Sequence, residues 1–358
     1  TQEIPATKSA GVSLWVPVGS RDEGPRTAGS THFLEHLLFK GTNKRSALDI
    51  AVAFDSVGGE SNAETAREHT AYWARVRDAD LDMAIETLTD MVTDSRLDDV
   101  DFSMERGVIL DELAMGEDSP TDTVHDAFQL AVHGDRPIGR PVGGTAQAIR
   151  DVERAAVWEH YQAHYGPSSL IVAAAGNVDH ESVCERVQAA LEGSPWDARS
   201  AAAPRPRRDT TVTPIADHDK DITRRRDVTQ AHVVIGCEGL SATDPAGPTM
   251  SVLLSVLGGS MSSRLFQEVR EKRGLAYTTY AFDVAYSDTG TFGMYAGCSP
   301  DKIVEVEAIM RAQLEELAAD GPTEEEMTRV RGQVRGGVVL GLEDNWSRMM
   351  RLGRSEII

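Results

Sequence analysis

His232-Val-Val-Ile-Gly236-Cys237, then Thr249-Met-Ser-Val-Leu-Leu-Ser-Val-Leu257 closed by Gly258-Gly259, then strand-like runs at 276–285 and 290–298: this order occurs twice in the chain. Its first occurrence opens with Gly11-Val-Ser-Leu-Trp-Val-Pro17 and a helical stretch at 31–40 stopped by Gly41. A second helix runs to Gly58-Gly59, and strand-like runs follow at 60–65 and 69–76. Helical periodicity then returns in both copies, at 78–93 and 98–115 and again at 300–319 and 323–342. In the first copy a helix at 152–165, an apolar strand at 169–175 and a helix at 181–191 complete the set. An order of elements that repeats is an internal duplication, so we expect an α+β protein of two homologous domains. Each should be an antiparallel-rich sheet covered by helices. The expected division is 1–200, a linker at 201–226 within a Pro-, Ala- and Arg-rich tract, and 227–358. By the repeat, Ile358 stands at about residue 130 of the first copy, so the second is expected to be incomplete by about 70 residues at its C-terminus.

The composition narrows the function. With 358 residues, 41% hydrophobic and 26% charged, the chain reads as globular, and no apolar run nears the ~20 residues of a membrane span. The net charge of −21, from 57 acidic and 36 basic residues, argues against nucleic acid as a partner, because phosphate binding needs a basic surface. The excess acid fits either a solvated face or a cavity that concentrates basic peptides, and the sequence leaves both open. Cys184, Cys237 and Cys298 are far apart, sit in or beside apolar segments and form no CxxC, which suits buried free thiols in a reducing, cytoplasmic setting. The chain starts at Thr1, so a targeting segment ahead of it stays open.

Chemistry enters with His32-Phe-Leu-Glu35-His36. Four residues apart on a helix, two histidines share a face and can reach one ion. Zinc takes imidazole and carboxylate ligands and keeps a position for water in catalytic sites. Glu35 lies beside that position, where a general base belongs. The run Glu105-Arg-Gly-Val-Ile-Leu-Asp-Glu112 supplies carboxylates seven residues apart, hence on one helical face. Glu112 would complete a two-His, one-Glu set, and Glu105 would orient a ligand from behind.

These residues resemble the pitrilysin and mitochondrial processing peptidase family, which uses an inverted zinc motif. The likeness rests on His32-Phe-Leu-Glu-His-Leu-Leu-Phe-Lys-Gly-Thr42 and on Glu112, 76 residues after His36. It extends to Gly58-Gly-Glu-Ser-Asn62-Ala63, Arg67-Glu-His-Thr70, Gly139-Arg-Pro-Val-Gly-Gly-Thr145 and Tyr165-Gly-Pro-Ser-Ser-Leu170. The resemblance implies one Zn2+ per chain on His32, His36 and Glu112, with Glu35 as base. It implies too that Asn62 and Ala63 lie on an edge strand that pairs with an extended peptide. In Ser262-Ser-Arg-Leu-Phe-Gln-Glu-Val-Arg270, followed by Tyr277, it implies an Arg/Tyr pair over the substrate carbonyl. A chain of this kind would dimerise, with itself or with a related subunit, and Arg270 and Tyr277 would serve the zinc of the other copy.

The expected activity is therefore zinc-dependent endopeptidase cleavage of extended, basic or unfolded peptides inside a closed chamber. The second copy reads Ser251-Val-Leu-Leu-Ser255 where the first carries its histidines, so one copy catalyses and the other does not. The competing reading is a catalytically silent partner subunit of the same family, which the intact His32, Glu35, His36 and Glu112 set opposes. A third, a short lyase on a related HxxEH scaffold that completes its site with Cys, is opposed by the first cysteine arriving only at 184.

Overall fold

The computed structural model describes residues 1–196, 203–212, 215 and 220–358. Part of the expected linker, at 201–202, 213–214 and 216–219, lies outside the described residues. In chain order the first part holds β1 (Gln2–Glu3), β2 (Ser9–Val16), α1 (Ser30–Leu37), α2 (Ala47–Asp55), β3 (Glu60–Thr65) and β4 (Thr70–Arg77). It continues with α3 (Leu81–Asp94), α4 (Asp99–Asp118), α5 (Pro120–His133), α6 (Ala146–Asp151), α7 (Arg154–His164), β5 (Ile171–Gly176) and α8 (His180–Glu192). The later part holds β6 (Ala231–Glu238), α9 (Gly247–Leu257), β7 (Ala276–Ala285), β8 (Gly290–Cys298), α10 (Ile303–Asp320), α11 (Glu324–Glu343) and α12 (Asn345–Ile357).

The duplication is written in the sheet topology. One sheet has the order β1-β5-β2-β4-β3, the other β6-β8-β7. Strands β2, β4 and β3 of the first match β6, β8 and β7 of the second in order and in antiparallel sense. Only the short β1 runs parallel to its neighbour, β5. The α+β class with two homologous domains is thus as the sequence led us to expect. None of the described helices is long and apolar enough to cross a membrane.

The chain divides into two compact units: 1–114, 141–207 and 341–357 in the first, and 115–140 with 208–340 in the second. This differs from a cut at 201–226. Helix α5, expected with the first copy, packs on β6 in the second unit, while α12, expected with the second copy, packs on β5 and β2 in the first. Each helix is accommodated by glycine. A Cβ on Gly353 of α12 would stand 2.1 Å from the Trp15 ring, and one on Gly236 of β6 would stand 2.7 Å from Phe128 of α5. Helix α12 adds an edge-on contact of Trp346 with Trp73 at 4.2 Å and an amide from Asn345 to Ser9 Oγ at 2.9 Å. An amphipathic helix buries its apolar face against whichever sheet leaves room for it, and here that sheet belongs to the other repeat.

In the first unit β2 is buried along seven of its eight residues, which explains its continuous rather than alternating apolar pattern. Helix α3 covers β4 and β2, α8 packs on α3, and α7 packs on α1. Phe33, Leu34 and Leu37 of α1 are wholly buried in this core, and that fixes the rotation of the helix carrying His32, Glu35 and His36.

Candidate active site

Helix α1 starts from an unusual cap. Gly29 sits at φ +86°, a left-handed conformation that glycine adopts without a Cβ penalty, and has no side chain to accept from the first amides. The carboxylate of Glu23 does so instead: its oxygens accept from the Gly29 and Thr31 N–H groups, both at 2.7 Å. Glu23 is 9% exposed, and burial pushes its carboxyl up to about 7 against the lowering effect of the two amides. Thr31 Oγ1 lies 3.0 Å from Nε2 of the buried His160, whose pKa burial drives down to about 4. Two residues further on, Phe33 stacks on Phe102 of α4 at 4.6 Å and sets α4 against α1.

That packing brings the three expected ligands together. His32 Nε2 and His36 Nε2 are 3.3 Å apart, and Glu112 Oε2 lies 3.5 Å from the first and 3.3 Å from the second. The edge of a tetrahedron is about 1.63 times its centre-to-corner distance, so bonds of about 2.0–2.1 Å to zinc require ligand atoms about 3.3–3.4 Å apart. Two of the separations match that value and the third, at 3.5 Å, exceeds it by about 0.1 Å. Two imidazole nitrogens facing each other at 3.3 Å can share a proton in a hydrogen bond or a cation placed between them. Among the described residues, this is the one group of three or more His, Cys, Asp or Glu side chains close enough to hold an ion.

The two histidines are oriented by their surroundings. His36 donates from Nδ1 to Glu105 Oε2 at 3.0 Å, which leaves its Nε2 lone pair for a metal. Glu105 is 3% exposed, and its other oxygen receives the Lys40 ammonium at 2.7 Å. Behind His32 lies Gly143: a Cβ there would be 2.9 Å from Leu113 Cδ2 and 3.3 Å from His32 Nδ1. Burial lowers the His32 pKa, the Glu112 carboxylate opposes this and His36 reinforces it, so the neutral, metal-binding form is favoured. Glu112 is the most open of the three, with 55% of its side chain exposed.

Glu35 lies half-buried on α1 between the two histidines. Its charge is felt by His32 and by the buried Tyr72 and Tyr165, whose hydroxyls are 3.1 Å apart. Burial holds Tyr165 at about 12 and Tyr72 well above the usual phenol value, with the Glu35 carboxylate adding to both. Asn62 and Ala63 lie opposite Trp73 and Tyr72 on β3, the outermost strand of its sheet. The Ala63 N–H donates to the Asn62 side-chain oxygen at 2.9 Å.

Arg270 and Tyr277 meet in the second unit. Arg270 stands on a π-helical turn, Phe266–Glu271, with its guanidinium 4.7 Å above both the Phe266 and Tyr277 rings. Tyr277, at the start of β7, is 75% exposed, so its hydroxyl is open to solvent. The sequence reading did not single out Glu23, Lys40 or Gly143. Only Lys40 carried a usable signal, one helical turn beyond His36.

Comparison with known proteins bears on the family and the fold. A family model described as Insulinase (Peptidase family M16) matches residues 1–146, and one described as Peptidase M16 inactive domain matches 151–334. An uncharacterized zinc protease of Streptomyces coelicolor is 49% identical over 358 residues, which is 100% of this chain and 78% of that protein. One from Mycobacterium tuberculosis is 45% identical over 358 residues, covering 100% and 81%. One from Bacillus subtilis is 34% identical over 354 residues, covering 99% and 84%. Among solved structures, a protease from Helicobacter pylori aligns with a TM-score of 0.86 at 22% identity, over 98% of this chain and 85% of that one. A peptidase M16 inactive domain from Pseudomonas fluorescens aligns with 0.84 at 17%, over 99% and 84%, and these two likenesses speak for the fold alone. With a relative 49% identical over all 358 residues of this chain and family models on both halves, the chain belongs to peptidase family M16.

Proposed function

We propose that this protein is a zinc-dependent endopeptidase, with zinc held by His32, His36 and Glu112 and with Glu35 as general base. The observation that carries the reading is the triangle of ligand atoms at 3.3, 3.3 and 3.5 Å, with the His36 ring held by Glu105 so that Nε2 faces the other two. The names of the relatives, zinc proteases, point the same way.

A bound zinc supplies Lewis acidity, polarising a carbonyl and bringing the pKa of water toward neutrality. The rest is done by the chain. The substrate peptide extends along the free edge of β3, and its backbone carbonyl takes the Ala63 N–H that Asn62 Oδ1 holds in its absence. Main-chain pairing of this kind accepts many sequences. Glu35 Oε takes the proton of the attacking water and delivers it to the leaving amine nitrogen. The two donors Arg270 and Tyr277, each steadied by the other, stabilise negative charge on the carbonyl oxygen from a partner copy of the chain, a homodimer or a dimer with a related subunit. The excess of acid, at a net charge of −21, favours basic or unfolded peptides as substrates. The free Cys184, Cys237 and Cys298 suit a reducing, cytoplasmic setting, although only Cys298 is buried. The second repeat takes no part in holding metal: Ser251 and Ser255 stand where the first repeat has its histidines, and the matching family model is described as inactive.

The deciding experiment is cleavage of a quenched library of basic peptides by the full-length protein, before and after chelation and with zinc added back. Cleavage that stops with the chelator and returns with zinc is expected. A protein that binds no metal and cleaves nothing would instead favour the silent-subunit reading.

A further inference from the structure

We propose that Lys40 is a positioning residue of the metal centre, acting on His36 through Glu105. His36 and Lys40 are one helical turn apart, and between them they take both oxygens of one carboxylate: His36 Nδ1 at 3.0 Å on Oε2 and Lys40 Nζ at 2.7 Å on Oε1. The lysine is placed for this by backbone geometry. Its N–H donates to the Leu37 carbonyl at 3.0 Å, continuing the turn beyond α1. The next residue, Gly41, turns the chain away at φ +123°. The ammonium is thereby returned toward the helix it has just left.

The bland alternative is a surface ion pair, which contributes little. Burial decides against it. The Glu105 side chain is 4% exposed, and a carboxylate taken out of water needs a compensating charge. A neutral His36 donates one hydrogen bond but brings no charge, so Lys40 provides the compensation. Without it Glu105 loses the partner on Oε1 and the reason to stay buried, and the ring of His36 loses its anchor. Partners behind a metal ligand are typically worth 10- to 100-fold in affinity, and Lys40 stands one step further back, so we place its effect at about 10-fold.

The inference rests on the zinc reading of His32, His36 and Glu112 and is tested on zinc affinity rather than turnover. Full-length protein carrying Lys40→Met, Lys40→Arg, Glu105→Gln or Lys40→Met with Glu105→Gln is titrated against a competing chelator. Circular dichroism of the metal-free forms checks folding. We expect Lys40→Met to bind zinc about 10-fold more weakly and Lys40→Arg to recover most of the loss. The double variant should bind no more weakly than Glu105→Gln alone, because the lysine acts only through that carboxylate. Were Lys40→Met not to fold, Lys40→Gln carries the same comparison. Wild-type affinity in Lys40→Met, or losses that multiply in the double variant, would overturn the inference while leaving the zinc site standing. A wild-type protein that takes up no zinc would overturn both.

Discussion

The cap of α1 should make the stability of this protein depend on pH in a way that a single substitution isolates. Glu23 is 9% exposed and its carboxyl lies at about 7 in the fold, against 4.5 in an unfolded chain. A group whose folded pKa is raised contributes stability that is fully present below the unfolded value and is lost as pH rises through the folded one. The window is therefore pH 4.5 to about 7. At about 1.4 kcal/mol for each pH unit across that window, the change amounts to about 3 kcal/mol. Glu23→Gln keeps the shape and one accepting oxygen but has no proton to titrate. We expect the wild type to lose about 3 kcal/mol relative to the glutamine variant between pH 4.5 and pH 8, whichever is the more stable at the start. Urea unfolding of metal-free protein across this range, followed by tryptophan fluorescence, measures the difference, and all shared titrations cancel from it. Metal-free protein is needed because zinc binding is itself pH-dependent. A difference that stays level from pH 4.5 to 8 would mean that Glu23 titrates normally and does not serve α1 as a buried acceptor.

Other expectations follow from the same geometry. His160, 3% exposed and held at about 4, has the opposite sign: its contribution is present above 6.5 and fades as pH falls through about 4, so His160→Gln should flatten stability over that window when compared with wild type in the same urea series. Glu35→Gln should retain stoichiometric zinc by elemental analysis and lose turnover of a peptide substrate by about 10²- to 10⁴-fold; retained activity would remove it as base. Glu112→Ala should weaken zinc itself in chelator competition, and unchanged zinc content would take it out of the ligand set.

Much of both units could be read directly from the sequence. Strand β3 at Glu60–Thr65, β7 at Ala276–Ala285 and β8 at Gly290–Cys298 have the bounds that their composition suggested. The meeting of His32, His36 and Glu112 was equally legible, because a four-residue step in a helix and a seven-residue step in another fix directions that any packing must respect. What stayed hidden were facts of partnership. The pattern of α12 tells that Met349, Met350 and Gly353 are to be covered, but not that Trp15 and Gly11 of the other repeat will cover them. Glu23 stands in a polar loop, and nothing in such a loop marks one acid as the buried acceptor for a helix six residues on. The π-helical turn that aims Arg270 at the ring of Tyr277 has no signature in Phe266-Gln-Glu-Val-Arg-Glu271.

The two repeats also show why metal chemistry would be lost as a block rather than residue by residue. Helices α4 and α11 are both 20 residues long, and matching their first residues sets Glu105 opposite Val330 and Glu112 opposite Gly337. Glu105 and Val330 are each 3% exposed, so the position is buried in both units and only its chemistry differs. A carboxylate there is tolerable only while His36 donates to one oxygen and Lys40 compensates its charge. Where a serine, Ser255, stands in place of the second histidine, the carboxylate would keep its desolvation cost and lose a partner, and an apolar side chain becomes the more stable occupant. Once the carboxylate is gone, nothing orients a histidine introduced there. On this argument, restoring histidines at 251 and 255 and glutamate at 337 should not recreate zinc affinity in the second unit unless Val330→Glu and a cation facing it are restored as well. A variant with only the three ligands restored, titrated with zinc in a Glu112→Ala background, tests this: tight binding would show that the ligand triangle alone suffices and that the buried carboxylate is dispensable.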